Sequence, residues 1–554
     1  MRVPLRGGGV AALLACVAAI SVDCGSSEAA PDRVLLGDGG GFPDGSSGED
    51  EAGDGDGAAA VDAATDAPAY DGGEPATITK GAPDRLLLLG TIVSPDTSFD
   101  GQVLVEQDKI TCVGPGDACA SAAGAAGATV IDTKGVIAPG LVDAHNHILF
   151  DVFDGDDWLP SKLYTNHTQW TAEPRYAAML DVKQCLVNDS QGKPSWCLAG
   201  TALGDKYGNA AGSLRCEFDK WGELKGLVAG TTSIVGLAGT TSGCFASLSR
   251  SIDAPQNGFG TDTVRTSATF PPSTSTSDSV CAAFASGAAK AFLVHCGEGL
   301  PTDATALGEF DKLKSAPTTD GCLDVEQTAI THGAAFGAAQ FQEMAQAKMK
   351  LTWSPQSNVS LYGATADIPT ARAAGVVVSL GPDWSMGGSQ NMLDELRFAD
   401  AWDRQTWGRS LTAKDLVTMA TKNGAAAVGY ADKIGTLDVG YYADIVVVGG
   451  DRSAPYDAIV AARPEDVRLT VVGGKVLYGD AQLEGAGPAA PGCESMDVCG
   501  APKFLCAATA DAANKLGQTF AQIQSALDQA FTDVDTGSGS AYKFAPVTPL
   551  VKCR

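Results

Sequence analysis

No two cysteines in this 554-residue chain stand at C-x-x-C spacing, which argues against a zinc ribbon or a thioredoxin-like redox centre. No G-x-S-x-G elbow, H-E-x-x-H helix or Walker loop occurs, so serine-hydrolase, zincin and P-loop chemistries have no foothold. Basic residues are scarce. Against 66 Asp and Glu there are 38 Lys and Arg, a net charge of −28 with no local basic patch, and a nucleic-acid backbone would be repelled. Long apolar runs of the kind that build a membrane bundle are missing. Histidine is rare, with five copies, and where they fall carries most of the information.

The chain opens with Arg2 and Arg6 ahead of a Gly/Ala/Leu/Val run ending near Val22, too short to span a bilayer, so residues 1–24 are predicted to be a secretory signal. Cys16 and Cys24 each resemble a bacterial lipoprotein cleavage site, Cys24 being better placed and Cys16 better preceded; an ordinary cleaved signal is the alternative. The expected location is therefore exported, periplasmic or at the cell surface, with membrane attachment through an N-terminal lipid if a lipoprotein site is used. Residues 26–80 hold thirteen acidic side chains against Arg33 and Lys80, a net −11. Acid, Gly and Ala without aromatic periodicity cannot offset chain entropy, so residues 25–80 are predicted to be a solvated, disordered linker.

Short β-rich runs follow from Leu86 to Asp132 and return at Ala443–Val448 and Leu469–Tyr478, which predicts that residues 81–138 and 431–482 pair in one composite β-sandwich domain. Between them, residues 139–430 alternate apolar runs with longer amphipathic stretches, the pattern of a (β/α)8 TIM barrel. Seven strands are legible: Leu141 to His147, Thr231 to Gly236, Val264 to Phe270, Ala291 to His295, Thr328 to His332, Lys348 to Trp353 and Val376 to Leu380. An eighth, third in order, is expected between Thr241 and Asp253. Residues 483–554 are predicted to be a helical, disulfide-bearing extension, with Leu516, Phe520, Ile523, Leu527 and Phe531 at helical spacing.

Four histidines end one of these strands: His145 and His147 the first, His295 the fifth, His332 the sixth. A strand alternates its faces, so a His-x-His pair sends both imidazoles to the same side, as shared ligation of one cation requires. Asp383 follows the eighth strand and can supply a carboxylate as ligand or as catalytic base. Isolated histidines are usually core or cap residues, but four at corresponding strand ends reverse that expectation.

Taken in order, Pro139-Gly140-Leu141-Val142-Asp143-Ala144-His145-Asn146-His147, His295-Cys296-Gly297-Glu298, Thr331-His332-Gly333, Trp353-Ser354-Pro355-Gln356-Ser357-Asn358 and Leu380-Gly381-Pro382-Asp383-Trp384 resemble the amidohydrolase superfamily, in its cytosine deaminase, guanine deaminase and triazine hydrolase branch. The resemblance spans about residues 84–480 and includes the closing Ile434-Gly435-Thr436-Leu437-Asp438-Val439-Gly440 run. It implies a hydrolase of non-peptide C–N bonds, of deaminase or cyclic-amidase type, with a small-molecule substrate. His145, His147, His295 and Asp383 would ligate one divalent ion, zinc or iron, with Glu298 as proton shuttle and His332 orienting water or polarising substrate. Binuclear relatives use a carboxylated lysine on the fourth strand, and residues 226–289 hold no lysine, so one metal is expected.

Trp353, Asn358, Tyr362 and Trp384 are expected to line the substrate pocket, with ordinary loop packing an equal explanation for the tryptophans. Trp158, Tyr164, His167 and Trp170 are expected to form a lid, His167 being structural or substrate-touching and not a ligand. Cys296 alternates away from His295 and is read as packing. Twelve other cysteines after residue 24 can pair, Cys112 with Cys119 and Cys185 with Cys197 among them. The competing readings are an exported binding protein that has lost its chemistry, or a peptidase- or lactonase-like member of the same superfamily.

Overall fold

The computed structural model describes residues 73–554 apart from 190–191, 237–243, 245–247, 256, 269, 490, 509–514 and 554. The predicted signal and most of the predicted acidic linker lie outside the described residues.

The parallel strands ordered from the sequence are β1 (Leu141–Asp143), β2 (Thr231–Ile234), β3 (Arg250–Ser251), β4 (Val264–Ser267), β5 (Ala291–Cys296), β6 (Thr328–His332), β7 (Lys350–Trp353) and β8 (Val377–Leu380). β1, β2 and β3 form one parallel run and β4 to β8 a second. Backbone bonds stitch the runs together where β1 meets β8: Ala144 N–H donates to Leu380 O (3.2 Å) and Asp383 N–H to His145 O (3.0 Å). The spatial order is thus β3-β2-β1-β8-β7-β6-β5-β4, with helices between β1 and β2 and between the successive strands from β4 to β8, a parallel α/β architecture. The third strand lies inside the window expected for it but has only two residues.

Strands from both flanks share one ten-stranded sheet. Ile445–Val448 pairs antiparallel with Val136–Pro139 of the long strand Ala128–Pro139, which feeds through Gly140 into β1. Two boundaries differ from the sequence reading. The linker expected to reach residue 80 is already ordered at Thr77–Thr79, because Ile78 registers against Ile131 of that long strand. The extension, expected to be helical, first adds the hairpin Glu494–Val498 and Ala501–Leu505 to the sheet through Lys475–Asp480.

Its helix, Phe520–Gly537, starts at a Thr519/Gln522 capping box and buries Ile523, Leu527, Ala530, Phe531 and Val534 along one stripe. Leu516, expected on that helix, falls in a short 3-10 turn ahead of it. Phe531 packs on Phe153 (centroids 5.4 Å) and Phe218 (6.2 Å), so the extension braces the loop after β1. The tail adds Thr548, donating to Val152 O, and Lys552, 2.7 Å from Asp154 and Asp156. Cysteines pair as Cys112–Cys119, Cys185–Cys197, Cys216–Cys244, Cys281–Cys322, Cys493–Cys506 and Cys499–Cys553, leaving Cys296 buried and unpaired.

One buried ion pair ties the parallel strands to the flanking sheet. Arg250 of β3 grips Asp444 with Nε (3.0 Å) and a terminal nitrogen (3.1 Å), and Asp444 also accepts from Gly473 N–H (2.7 Å). Arg250→Ala leaves that carboxylate buried without its counter-ion, an expected cost of about 3–5 kcal/mol. A urea midpoint equal to the wild-type value would refute the role.

Candidate metal centre

The ends of β1, β5, β6 and β8 converge. Gly381 makes this possible, since a Cβ there would stand 2.5 Å from the His145 backbone nitrogen. His332 and Asp383 both hold left-handed backbone, φ 71° and 74°, a conformation costly for residues with a side chain and concentrated at functional sites. His145 Nε2 lies 2.9 Å and His147 Nε2 3.3 Å from Asp383 Oδ1, and His147 Nε2 lies 3.2 Å from His295 Nε2. One donor atom each from His145, His295, His332 and Asp383 falls within 4.8 Å of all the others. All four are buried.

Burial depresses the His145 and His295 imidazoles to about 3, and it drives His147 and His332 well below the ordinary range, so the rings are neutral. For His295 the tautomer follows from its partner: Nδ1 lies 3.2 Å from the Ser267 carbonyl, which can only accept, so Nε2 turns a lone pair toward His147 and Asp383. Asp383 has its second oxygen held by the Ser357 hydroxyl (2.5 Å). Neutral imidazole lone pairs and a fixed carboxylate around a common point suit a divalent cation.

Glu298 sits beside this group with Oε2 3.8 Å from His332 Nε2. Burial pushes its carboxyl up to about 7, partly opposed by the charge of His167 and by the Tyr362 hydrogen bond. Tyr362, expected to line the pocket, donates its hydroxyl to Glu298 Oε1 (2.6 Å), and Trp170 N–H donates to that hydroxyl (3.1 Å). Asn358 contacts His332 Nδ1 (2.9 Å). Trp353 is fully buried, with its ring on Trp407 (5.5 Å) and its N–H on Thr365 Oγ1 (2.7 Å). Of the four expected pocket residues, Trp384 is the one whose ring lies against a histidine ring, tilted 43° to His147 at 5.7 Å, and its buried N–H has no acceptor among the described residues.

Trp158 and Trp170 pack against Trp384 at 5.9 and 5.2 Å, forming with Tyr176 one aromatic wall. Tyr164 hydrogen-bonds Glu173, which also takes the Trp158 N–H (2.8 Å). His167 binds Glu309 Oε1 (2.7 Å) and, by its backbone N–H, Glu298 O (3.2 Å). Glu309, Ser357 and Asp143 were not singled out from the sequence. Glu309 accepts the Gly297 N–H (2.7 Å) and so shapes the turn carrying Glu298, while Asp143 accepts from His145 N–H (3.1 Å) and Asn146 (2.9 Å). Ser357 stands inside a motif already quoted; Glu309 had no local signal.

Residues 227–477 match the amidohydrolase family. A 5-methylthioadenosine/S-adenosylhomocysteine deaminase of Halobacterium salinarum is 28% identical over 430 residues, covering 71% of this chain and 92% of the relative. A deaminase of the same name from Desulfitobacterium hafniense is 36% identical over 149 residues, 25% of this chain, and the match spans only 34% of that relative. Among solved structures, a zinc-complexed atrazine chlorohydrolase of Arthrobacter aurescens superposes with TM-score 0.52 at 16% identity, covering 73% of this chain and 96% of that chain. A triazine hydrolase variant superposes at 0.51 with 16% identity and the same coverage. The chain is thus similar in sequence to deaminases and in fold to triazine hydrolases.

Proposed function

We propose that this protein hydrolyses a non-peptide C–N bond in a flat heterocyclic substrate, as a deaminase or cyclic amidase. The observation that carries the reading is a converging His/Asp donor set with a buried, protonatable Glu298 beside it. The deaminase names of the relatives support it. We take the supporting frame to be a (β/α)8 barrel of residues 139–430 beside a composite β-domain built from both flanks. Six cysteine pairs favour an oxidising compartment and hence export, in keeping with the basic, apolar N-terminus.

His145, His147, His295 and Asp383 would hold one divalent ion, and an imidazole-rich set suits zinc or iron. Such an ion, when bound, lowers the pKa of water toward neutrality and makes it a nucleophile. Glu298, titrating near neutrality, takes the proton of the attacking water and returns it to the departing nitrogen. Tyr362 and Trp170 fix which oxygen of Glu298 is free: Oε1 is occupied by the tyrosine, so the proton moves at Oε2, which faces His332. The Trp384 wall stacks the ring and its free N–H can meet an acceptor on it.

Metal-loaded protein incubated with aminated purines, pyrimidines and cyclic amides should release ammonia or open a ring, at a rate that rises with pH as Glu298 ionises. The Tyr362 bond favours the ionised carboxylate, so Tyr362→Phe raises the Glu298 pKa and moves that limb to higher pH. No product from any of these classes with metal fully bound would favour the binding-protein reading.

A further inference from the structure

The groups assigned to the chemistry are shut away: Glu298 is 5% exposed, Asp383 3% and His332 not at all. A substrate reaches them only if a covering segment moves, and one such segment is docked on Glu298 itself. Residues 165–170 of the loop after β1 pair with the turn that follows β5. Asn166 bridges Gly299 in antiparallel sense, with Leu300 N–H donating to Thr165 O (2.8 Å) and His167 N–H to Glu298 O (3.2 Å). The approach is close enough to demand glycine, since a Cβ at Gly299 would stand 2.5 Å from the Thr165 carbonyl oxygen. Two side chains reinforce it, Thr165 and Asn166 both donating to Asp303 Oδ2 (2.7 and 2.8 Å).

From this seam two connections run to Glu298. The first passes through a shared carboxylate. His167 Nε2 lies 2.7 Å from Glu309 Oε1, while Glu309 Oε2 takes the Gly297 N–H at 2.7 Å and faces the Glu298 N–H at 3.4 Å. Glu309 is buried, so a side chain of the loop fixes the carboxylate that orients the backbone of the turn. Burial works against a charge on His167, but the Glu309 bond and the charges of Glu298, Glu309 and Asp303 outweigh it and raise its pKa, in keeping with an ion pair. The second connection reaches the side chain. Trp170, at the end of the helix His167–Trp170, donates to the Tyr362 hydroxyl, which donates to Glu298 Oε1.

We infer that residues 165–170 are a lid whose closure places Glu298, with His167 positioning its backbone and Trp170 its carboxyl. Covering the substrate and completing the proton shuttle are then one event, and an open lid leaves the site incomplete. The catalytic consequence rests on the hydrolase reading; the coupling of loop to turn does not.

Hydrogen exchange on the zinc-loaded full chain tests that coupling without a substrate. The amides of His167, Gly297 and Leu300 should open as one unit, with protection factors within about threefold of one another and below those of Phe292 and Val294 in β5. His167→Leu should speed exchange at all three by about tenfold or more and leave β5 and the bound zinc unchanged. It should also lower kcat about tenfold with KM within about twofold, whereas a loop that only covered the substrate would raise KM instead. His167→Gln, whose amide N–H can still donate to Glu309, should restore both exchange and kcat. Protection differing by more than about tenfold among the three wild-type amides overturns the inference even if His167→Leu fails to fold. So does a folded His167→Leu in which Gly297 exchange or kcat is unchanged. Should the wild type turn over no substrate, the hydrolase reading fails while hydrogen exchange still judges the lid.

Discussion

Glu298→Gln should keep its bound metal and lose turnover by about 10²–10⁴-fold, the usual contribution of a positioned proton-transfer group. Glutamine preserves the shape of the side chain and an oxygen for the Tyr362 hydroxyl, so the pocket should be unaltered. What it cannot do is accept a proton and give it back. Glu298 lies outside the converging donors, its nearest approach being the 3.8 Å to His332, and its loss should not release the ion. Metal analysis and steady-state rates on the same preparation check both halves. Turnover within a few-fold of wild type would remove Glu298 from the mechanism, and loss of metal would make it a ligand.

His295→Ala should lose metal and turnover together. The substitution deletes the Nε2 lone pair facing His147 and Asp383, and the remaining donors must hold the ion without it. Removal of an outer-shell partner weakens metal affinity by about 10–100-fold, so deletion of a ligand should exceed about 100-fold. Excess zinc should restore activity only in part. If His295→Ala bound metal as tightly as the wild type, the four-residue ligand set would have to be redrawn. The contrast between the two variants separates proton transfer from metal holding.

The order of the parallel strands and the convergence of the histidines were legible because both follow from short-range rules: apolar runs of strand length, alternating faces, and polar residues at strand ends. Roles inside the pocket were less so. Asn358 and Tyr362 read as pocket-lining because they follow β7, yet the helix Pro355–Tyr362 presents them to His332 and Glu298. Which side chain they meet depends on how that helix packs, and its own sequence does not carry this. Glu309 was invisible for a related reason, since it serves a backbone turn eleven residues earlier in the chain. The hairpin Glu494–Leu505 was missed because its first strand is half-exposed and mixes charge with apolar residues, and what holds it is pairing with Lys475–Asp480. Thr77–Thr79 is too short to carry a period at all.

The pairing of Val136–Pro139 with Ile445–Val448 has a consequence for biogenesis. A nascent polypeptide emerging from the ribosome must wait for some three hundred further residues before that strand gains its second neighbour, a high-contact-order step that favours slow folding. In the interval its open side is a template for another copy. Fragments stopping short of residue 445 would keep that adhesive border permanently, whereas the complete polypeptide conceals it in the middle of a sheet.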